Sequence, residues 1–272
     1  MAYAWLKDGT PLFYSEQGSG RPLVLVHGLM FTTRRFWRDN IPELARGARV
    51  IALDLRGQGE SGKPNFGYTI DKLADDLREF LAIKGLQDAV VLGVALGGLV
   101  LLNYLQRFGP ERIKAISIVD MTPRLPSAPG WAHPTFGEFP LEAAQGYGAQ
   151  VRKDRSGMRG FIQVGFAEPP TDALLDELYA ESYLTPTDVI ADMVDDMVRQ
   201  DFRAFLPTIK LPTLLLYGGA KNKTLPTRVG KWMAEQIPGS TLVEFDDSGH
   251  MLFLEESVKF NRSVLDFVAK LK

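Results

Sequence analysis

The chain contains no cysteine. Disulfides, thiolate nucleophiles and cysteine-ligated metals are therefore excluded. Neither sign of charge dominates: 31 Lys and Arg against 33 Asp and Glu leave a formal net charge of -2. Such a balance offers no electrostatic footprint for nucleic acid or an anionic membrane, so neither is expected as a partner. Long hydrophobic runs are missing too. The most apolar stretch, residues 90–102, carries three glycines, and it is shorter than the roughly 20 residues of a membrane span. The first residues lack a basic segment followed by an apolar one, so no secretory signal is expected and the cytoplasm is the default location. There is no internal repeat, low-complexity tract, metal-ligand cluster or phosphate-binding glycine loop. No metal and no cofactor is implied.

What is present fits one elaborated α/β domain. Its 272 residues are 45% hydrophobic and 24% charged, an ordinary globular balance. Strand-like pieces flank Asp8-Gly9, a hairpin dipeptide, so residues 3–15 are expected to form an antiparallel edge. Short apolar runs then recur at 23–26, 50–53, 89–92, 116–119, 213–217 and 241–245, most separated by helical patterns. That is how a buried, mostly parallel sheet reads. Thr69 is placed to cap a helix over 70–83, and Gly109-Pro110 to end the helix that begins near Gly97. Pro226 suits the first turn of a helix over 227–237. A last helix over 257–271 is expected to turn Val258, Leu265 and Val268 to the sheet. Residues 121–208 break the alternation and read as a mainly helical insertion, a cap over a core made of 1–120 and 209–272.

Four motifs carry chemistry. The first is Val90-Val91-Leu92-Gly93-Val94-Ala95-Leu96-Gly97-Gly98-Leu99, a strand entering a helix through a glycine-flanked turn. Glycines two positions either side of Ala95 leave room for a strained residue between packed elements. The second is an apolar strand ending in His27-Gly28-Leu29-Met30, where His27 is expected to bond backbone. The third, Asp54-Leu55-Arg56-Gly57-Gln58-Gly59-Glu60-Ser61, reads as a structural turn. The fourth, Asp246-Asp247-Ser248-Gly249-His250, follows the last apolar run and precedes the last helix.

In this order the motifs resemble the α/β-hydrolase superfamily. The likeness spans the chain outside residues 121–208 and implies an α/β fold with a mostly parallel twisted sheet flanked by helices. It places Ala95 in the slot of the nucleophilic serine of G-x-S-x-G and makes His250 the general base. The backbone N–H groups of Leu29 and Leu96 become the oxyanion hole.

The acid has two candidate positions. The family's commonest location, the loop after the 213–217 strand, holds Asn222 where Asp is usual. Some members carry the acid one strand earlier, where this chain has Asp120. Asp246 and Asp247 lie in the loop that must itself present His250.

Met30, Phe31 and Trp37 after the oxyanion strand, with Trp131, Phe136, Phe139, Phe161 and Phe166 from the insertion, are expected to line an apolar substrate pocket. The resemblance thus implies a serine hydrolase for a small-molecule ester, lactone or thioester with an apolar acyl or aromatic group. With alanine at 95 the chain is expected to be inactive. The other reading is a natural non-catalytic binding protein of the same fold.

Overall fold

The computed structural model describes residues 2–272. The apolar runs become one eight-stranded sheet: β1 (Ala2–Trp5), β2 (Pro11–Gln17), β3 (Pro22–Val26), β4 (Arg49–Leu53), β5 (Ala89–Val94), β6 (Ile113–Val119), β7 (Thr213–Gly218) and β8 (Thr241–Phe245). They lie in the order β1-β2-β4-β3-β5-β6-β7-β8. β2 runs antiparallel to both β1 and β4, closing a hairpin at Asp8-Gly9, and every other pairing is parallel. β5 and β7 are buried along their whole length because helices cover both faces, which explains their unbroken apolar runs.

Successive side chains of β3 part to opposite sides, Val24 and Val26 to one apolar core and Leu23 and Leu25 to the other. The first core contains Leu73, Leu77 and Phe80 of helix Ile70–Ile83 and Leu99 and Leu102 of helix Leu96–Phe108. Thr69 caps the former by accepting from the Lys72 N–H, and Gly109, at φ +66°, ends the latter. Two expectations are corrected. Helix Val229–Gln236 starts after Pro226, whose carbonyl accepts from the Val229 N–H in a preceding turn. In helix Ser257–Lys270 the buried face is Phe260, Val264 and Val268, while Val258 is 82% exposed. At 3.6 residues per turn Val258 lies about 120° round from the centre of that face.

Between β6 and β7 the described residues form helices Leu141–Lys153, Gly157–Val164, Asp172–Ser182 and Thr187–Met197 and no strand. No helix among the described residues is long and apolar enough to cross a membrane.

The loop after β4 is fastened by Arg56, a fully buried guanidinium. It donates to both Asp76 oxygens at 2.6 and 2.9 Å, to Asp8 Oδ2 at 2.6 Å and to Thr10 Oγ1 at 3.0 Å. One side chain thus joins the hairpin, the loop and helix Ile70–Ile83. Burial opposes ionisation of Asp8, but hydrogen bonds from Thr10, Arg56 and Lys72 outweigh it and hold its carboxyl well below the usual range. Arg56→Met should therefore lower the unfolding free energy by about 3 kcal/mol, because it takes the guanidinium from the buried Asp76 carboxylate and leaves Lys72 alone to pair with it. Urea unfolding checks this, and an unchanged midpoint would contradict it.

Candidate active site

Parallel strands place the ends of β3, β5, β6, β7 and β8 on one edge of the sheet, and the motif residues follow those ends. Ala95 follows β5 directly with φ +47° and ψ −109°, a conformation L-residues rarely adopt. The surroundings hold it there. Its N–H donates to the Val119 carbonyl at 3.1 Å, and its own carbonyl accepts from Gly98 and Leu99. The flanking glycines are sterically required: a Cβ on Gly93 would stand 2.4 Å from the Gly97 carbonyl oxygen, and one on Gly97 2.5 Å from that of Val26.

The loop after β3 lies against this turn, for a Cβ on Gly28 would be 3.8 Å from that of Ala95. Buried His27 has Nδ1 2.6 Å from the Gly28 carbonyl and accepts the Leu55 N–H on Nε2 at 3.1 Å. That pattern requires a neutral ring protonated on Nδ1, and burial lowers the pKa accordingly, against the pull of Asp54. Beyond Leu29 three backbone donors are held by side-chain acceptors. Met30 N–H donates to Gln58 Oε1 at 2.5 Å, Thr32 N–H to Glu181 Oε1 at 3.0 Å and Thr33 N–H to Asp54 Oδ1 at 2.6 Å.

Asp120 follows β6, fully buried, at φ +42°. His250 Nδ1 is 2.5 Å from its Oδ2. Asp120 also accepts from Gly218 N–H at 3.0 Å and from Asn222 Nδ2, which spans both oxygens at 2.9 and 3.0 Å. The Asn222 carbonyl is occupied by the N–H groups of Thr224 and Leu225. Of the two candidate positions, then, Asp120 meets the imidazole, and Asn222 meets Asp120.

Ala95 and His250 share a cavity of about 100 Å³. Leu29, Leu96, Phe31, Phe136, Phe139 and Phe161 line it, in keeping with the expected apolar pocket. Four expected residues do not. Trp37 is fully buried against Phe36, Phe253 and Phe260. Trp131 packs edge-on against Trp232 and donates its indole N–H to the Arg124 carbonyl, facing a separate groove. Met30 turns into the core at φ +62°, and Phe166 packs behind the His250 loop, where a Cβ on Gly249 would meet its backbone. Aromatic composition alone does not distinguish a wall from a core. Sequence reasoning missed Tyr147, Met158, Val194, Met197 and Val198. The spacing of the last three, i, i+3 and i+4, is a helical stripe that could have signalled them.

Two carboxylates fasten the helical insertion to this region. Glu255 accepts from Gly249 N–H in the His250 loop and from Ala167 N–H in the insertion, both at 2.8 Å, and burial raises its pKa. Glu181, on helix Asp172–Ser182, receives both the N–H and the hydroxyl of Thr32.

The geometry agrees with the comparisons. The family model described as alpha/beta hydrolase fold matches residues 21–257, and the chain belongs to that family. It is 30% identical to YisY, an AB hydrolase superfamily protein of Bacillus subtilis, over 97% of this chain and 98% of that one. It is 27% identical to the non-heme chloroperoxidase CPO-A1 of Kitasatospora aureofaciens, over 97% and 98%. The structure of the esterase EaEST from Exiguobacterium antarcticum superposes with a TM-score of 0.90 at 27% identity, covering 98% of this chain and 99% of that one.

Burial pushes the Glu181 carboxyl up to about 7 from an ordinary 4.5, and the Thr32 hydrogen bonds only partly offset it. The folded state therefore holds the proton more tightly than the unfolded chain. The stability this contributes is complete below pH 4.5 and is lost as pH rises through about 7. Glu181→Gln keeps an acceptor for Thr32 but cannot ionise. Its unfolding free energy relative to the parent should rise between pH 5 and pH 8 by about 2 to 3 kcal/mol. Denaturation at the two pH values checks this, and a constant difference would contradict it.

Proposed function

We propose that this scaffold is built for acyl transfer from an apolar or aromatic carboxylic ester to water, with residue 95 as the nucleophile position. The observation that carries the reading is the 2.5 Å contact of His250 Nδ1 with buried Asp120 on the wall that also presents Ala95. With Nδ1 engaged, Nε2 is the nitrogen left to move a proton. In the serine form Oγ attacks the ester carbonyl while His250 Nε2 takes its proton. The Leu29 and Leu96 N–H groups hold the oxyanion. Collapse returns the proton to the departing alkoxide and leaves an acyl-serine, and water activated by His250 then releases the acid. Residues 121–208 form the cap over this site, and the partner is a small neutral ester.

The alanine form lacks Oγ and is expected to bind such esters without turning them over. A relative named as a chloroperoxidase and a structural neighbour named as an esterase agree with the rule that one fold hosts more than one activity, so the reading rests on the site. The alanine itself is the observation that favours the second reading, a ligand-binding protein.

Ala95→Ser should create hydrolysis of p-nitrophenyl esters with a stoichiometric burst of p-nitrophenol, absent from the alanine form. Absence of any gain across acyl lengths would leave the binding reading. In the serine form Asp120→Asn should lower kcat by about 10⁴-fold, since Asn favours the wrong imidazole tautomer and cannot balance its charge. Asn222→Asp should add no activity. Kinetics of the three serine-bearing proteins check this, and a silent Asp120→Asn with a strong gain from Asn222→Asp would reverse the assignment.

A further inference from the structure

Two polar side chains in the wall of the apolar cavity have no hydrogen-bond partner among the described residues. Thr135 and Thr224 both line it, are 8% and 6% exposed, and have buried hydroxyls that make no hydrogen bond. They come from opposite sides of one seam, Thr135 from the segment after β6 and Thr224 from the loop after β7. A backbone bond crosses the seam, Phe136 N–H donating to the Thr224 carbonyl at 2.7 Å, while Thr135 N–H donates to the Leu125 carbonyl at 2.9 Å within its own segment. Thr224 N–H is fixed in turn by Asn222 Oδ1 at 2.9 Å, so the loop that steadies Asp120 also places this threonine.

A buried hydroxyl without a partner destabilises a protein, and each such group calls for a reason. Valine has the same shape and would fill the wall without that penalty. Two neighbouring threonines, both unsatisfied, therefore read as a site waiting for a ligand atom. Each carries a methyl and a hydroxyl on Cβ, and a rotation of about 120° about χ1, one rotamer step, moves the hydroxyl into the methyl's place and the methyl into that of the Cβ hydrogen. The wall can thus turn a methyl or a hydroxyl towards the cavity. Among the described residues no Lys or Arg lines the cavity, so a charged group would be desolvated there without compensation.

We propose that Thr135 and Thr224 form a specificity subsite for an uncharged oxygen, a ketone or hydroxyl, carried on the apolar body of the ester. This rests on the ester-binding reading of the cavity and narrows its substrate class to neutral oxo- or hydroxy-substituted esters. The subsite discriminates because an analogue lacking the oxygen leaves the hydroxyls unpaired, whereas one with the oxygen elsewhere buries it unpaired.

The chain with Ala95 is suited to the test because it separates binding from turnover. Dissociation constants are measured by calorimetry for ethyl octanoate and for its analogues bearing one oxo or hydroxyl group at successive carbons from 3 to 7. One position should bind about tenfold more tightly than ethyl octanoate, the gain expected of one or two neutral hydrogen bonds. Thr135→Val and Thr224→Val should each remove most of that gain and leave ethyl octanoate unchanged or tighter, and Thr→Ser at either position should retain it. Without ligand, the double valine variant should melt at least as high as the parent. The proposal is overturned if no ester of the series binds, if ethyl octanoate binds best throughout, if the preference survives both valines, or if the double variant loses stability. A flat oxygen scan in a chain that still binds ethyl octanoate would sink the subsite and leave the hydrolase reading intact.

Discussion

The backbone at Gly97 approaches the Val26 carbonyl so closely that a single added carbon would lie 2.5 Å from that oxygen. Much of the site depends on this contact. It lets the first turn of helix Leu96–Phe108 sit beside the end of β3, so that the free N–H groups and positive dipole end of the helix face the loop carrying Leu29. It requires glycine at 97, and the mirror contact requires glycine at 93. Ala95 between them is held at positive φ by hydrogen bonds to its own N–H and carbonyl. An ordinary strand-to-helix turn would need none of these restrictions.

Buried acceptors then stabilise what the close packing brings together. Asp120 lies inside the protein with donors from Gly218, Asn222 and His250 on its two oxygens, so its charge is compensated from β7, from the loop after it and from the loop after β8. Asn222 is matched to this arrangement. Its carbonyl is committed to two backbone donors, so its NH₂ must face Asp120. An aspartate at 222 would set one carboxylate against another. Gln58, Asp54 and Glu181 perform the equivalent service for the segment after Leu29, and Glu181 does so from the helical insertion. The position of the insertion is thereby coupled to the segment that follows Leu29, the proposed oxyanion donor.

Strands and motif order were legible in the sequence because both rest on local pattern. Apolar runs of four or five residues, Asp8-Gly9, Thr69 and Gly109 each state their structure within a few positions. The meeting of Asp120 with His250 was legible only as a pair of alternatives, since contacts across 130 positions leave no local trace. Trp37 and Trp131 were misplaced for a related reason: hydrophobicity says that a ring is buried, not whether it faces a cavity or a neighbour. Glu181, one acid among many in a helical stretch, carries no sign that it reaches Thr32. The unsatisfied hydroxyls of Thr135 and Thr224 are visible only once their neighbours are in place.

The central claim is that residue 95 stands where a nucleophile would be activated by His250 and Asp120. Its most direct test is the Ala95→Ser protein treated with an alkyl fluorophosphonate and analysed by peptide mass mapping beside the alanine form. The account predicts a single adduct on the peptide containing residue 95 and none in the alanine form. No adduct, or the same adduct in both proteins, would contradict it.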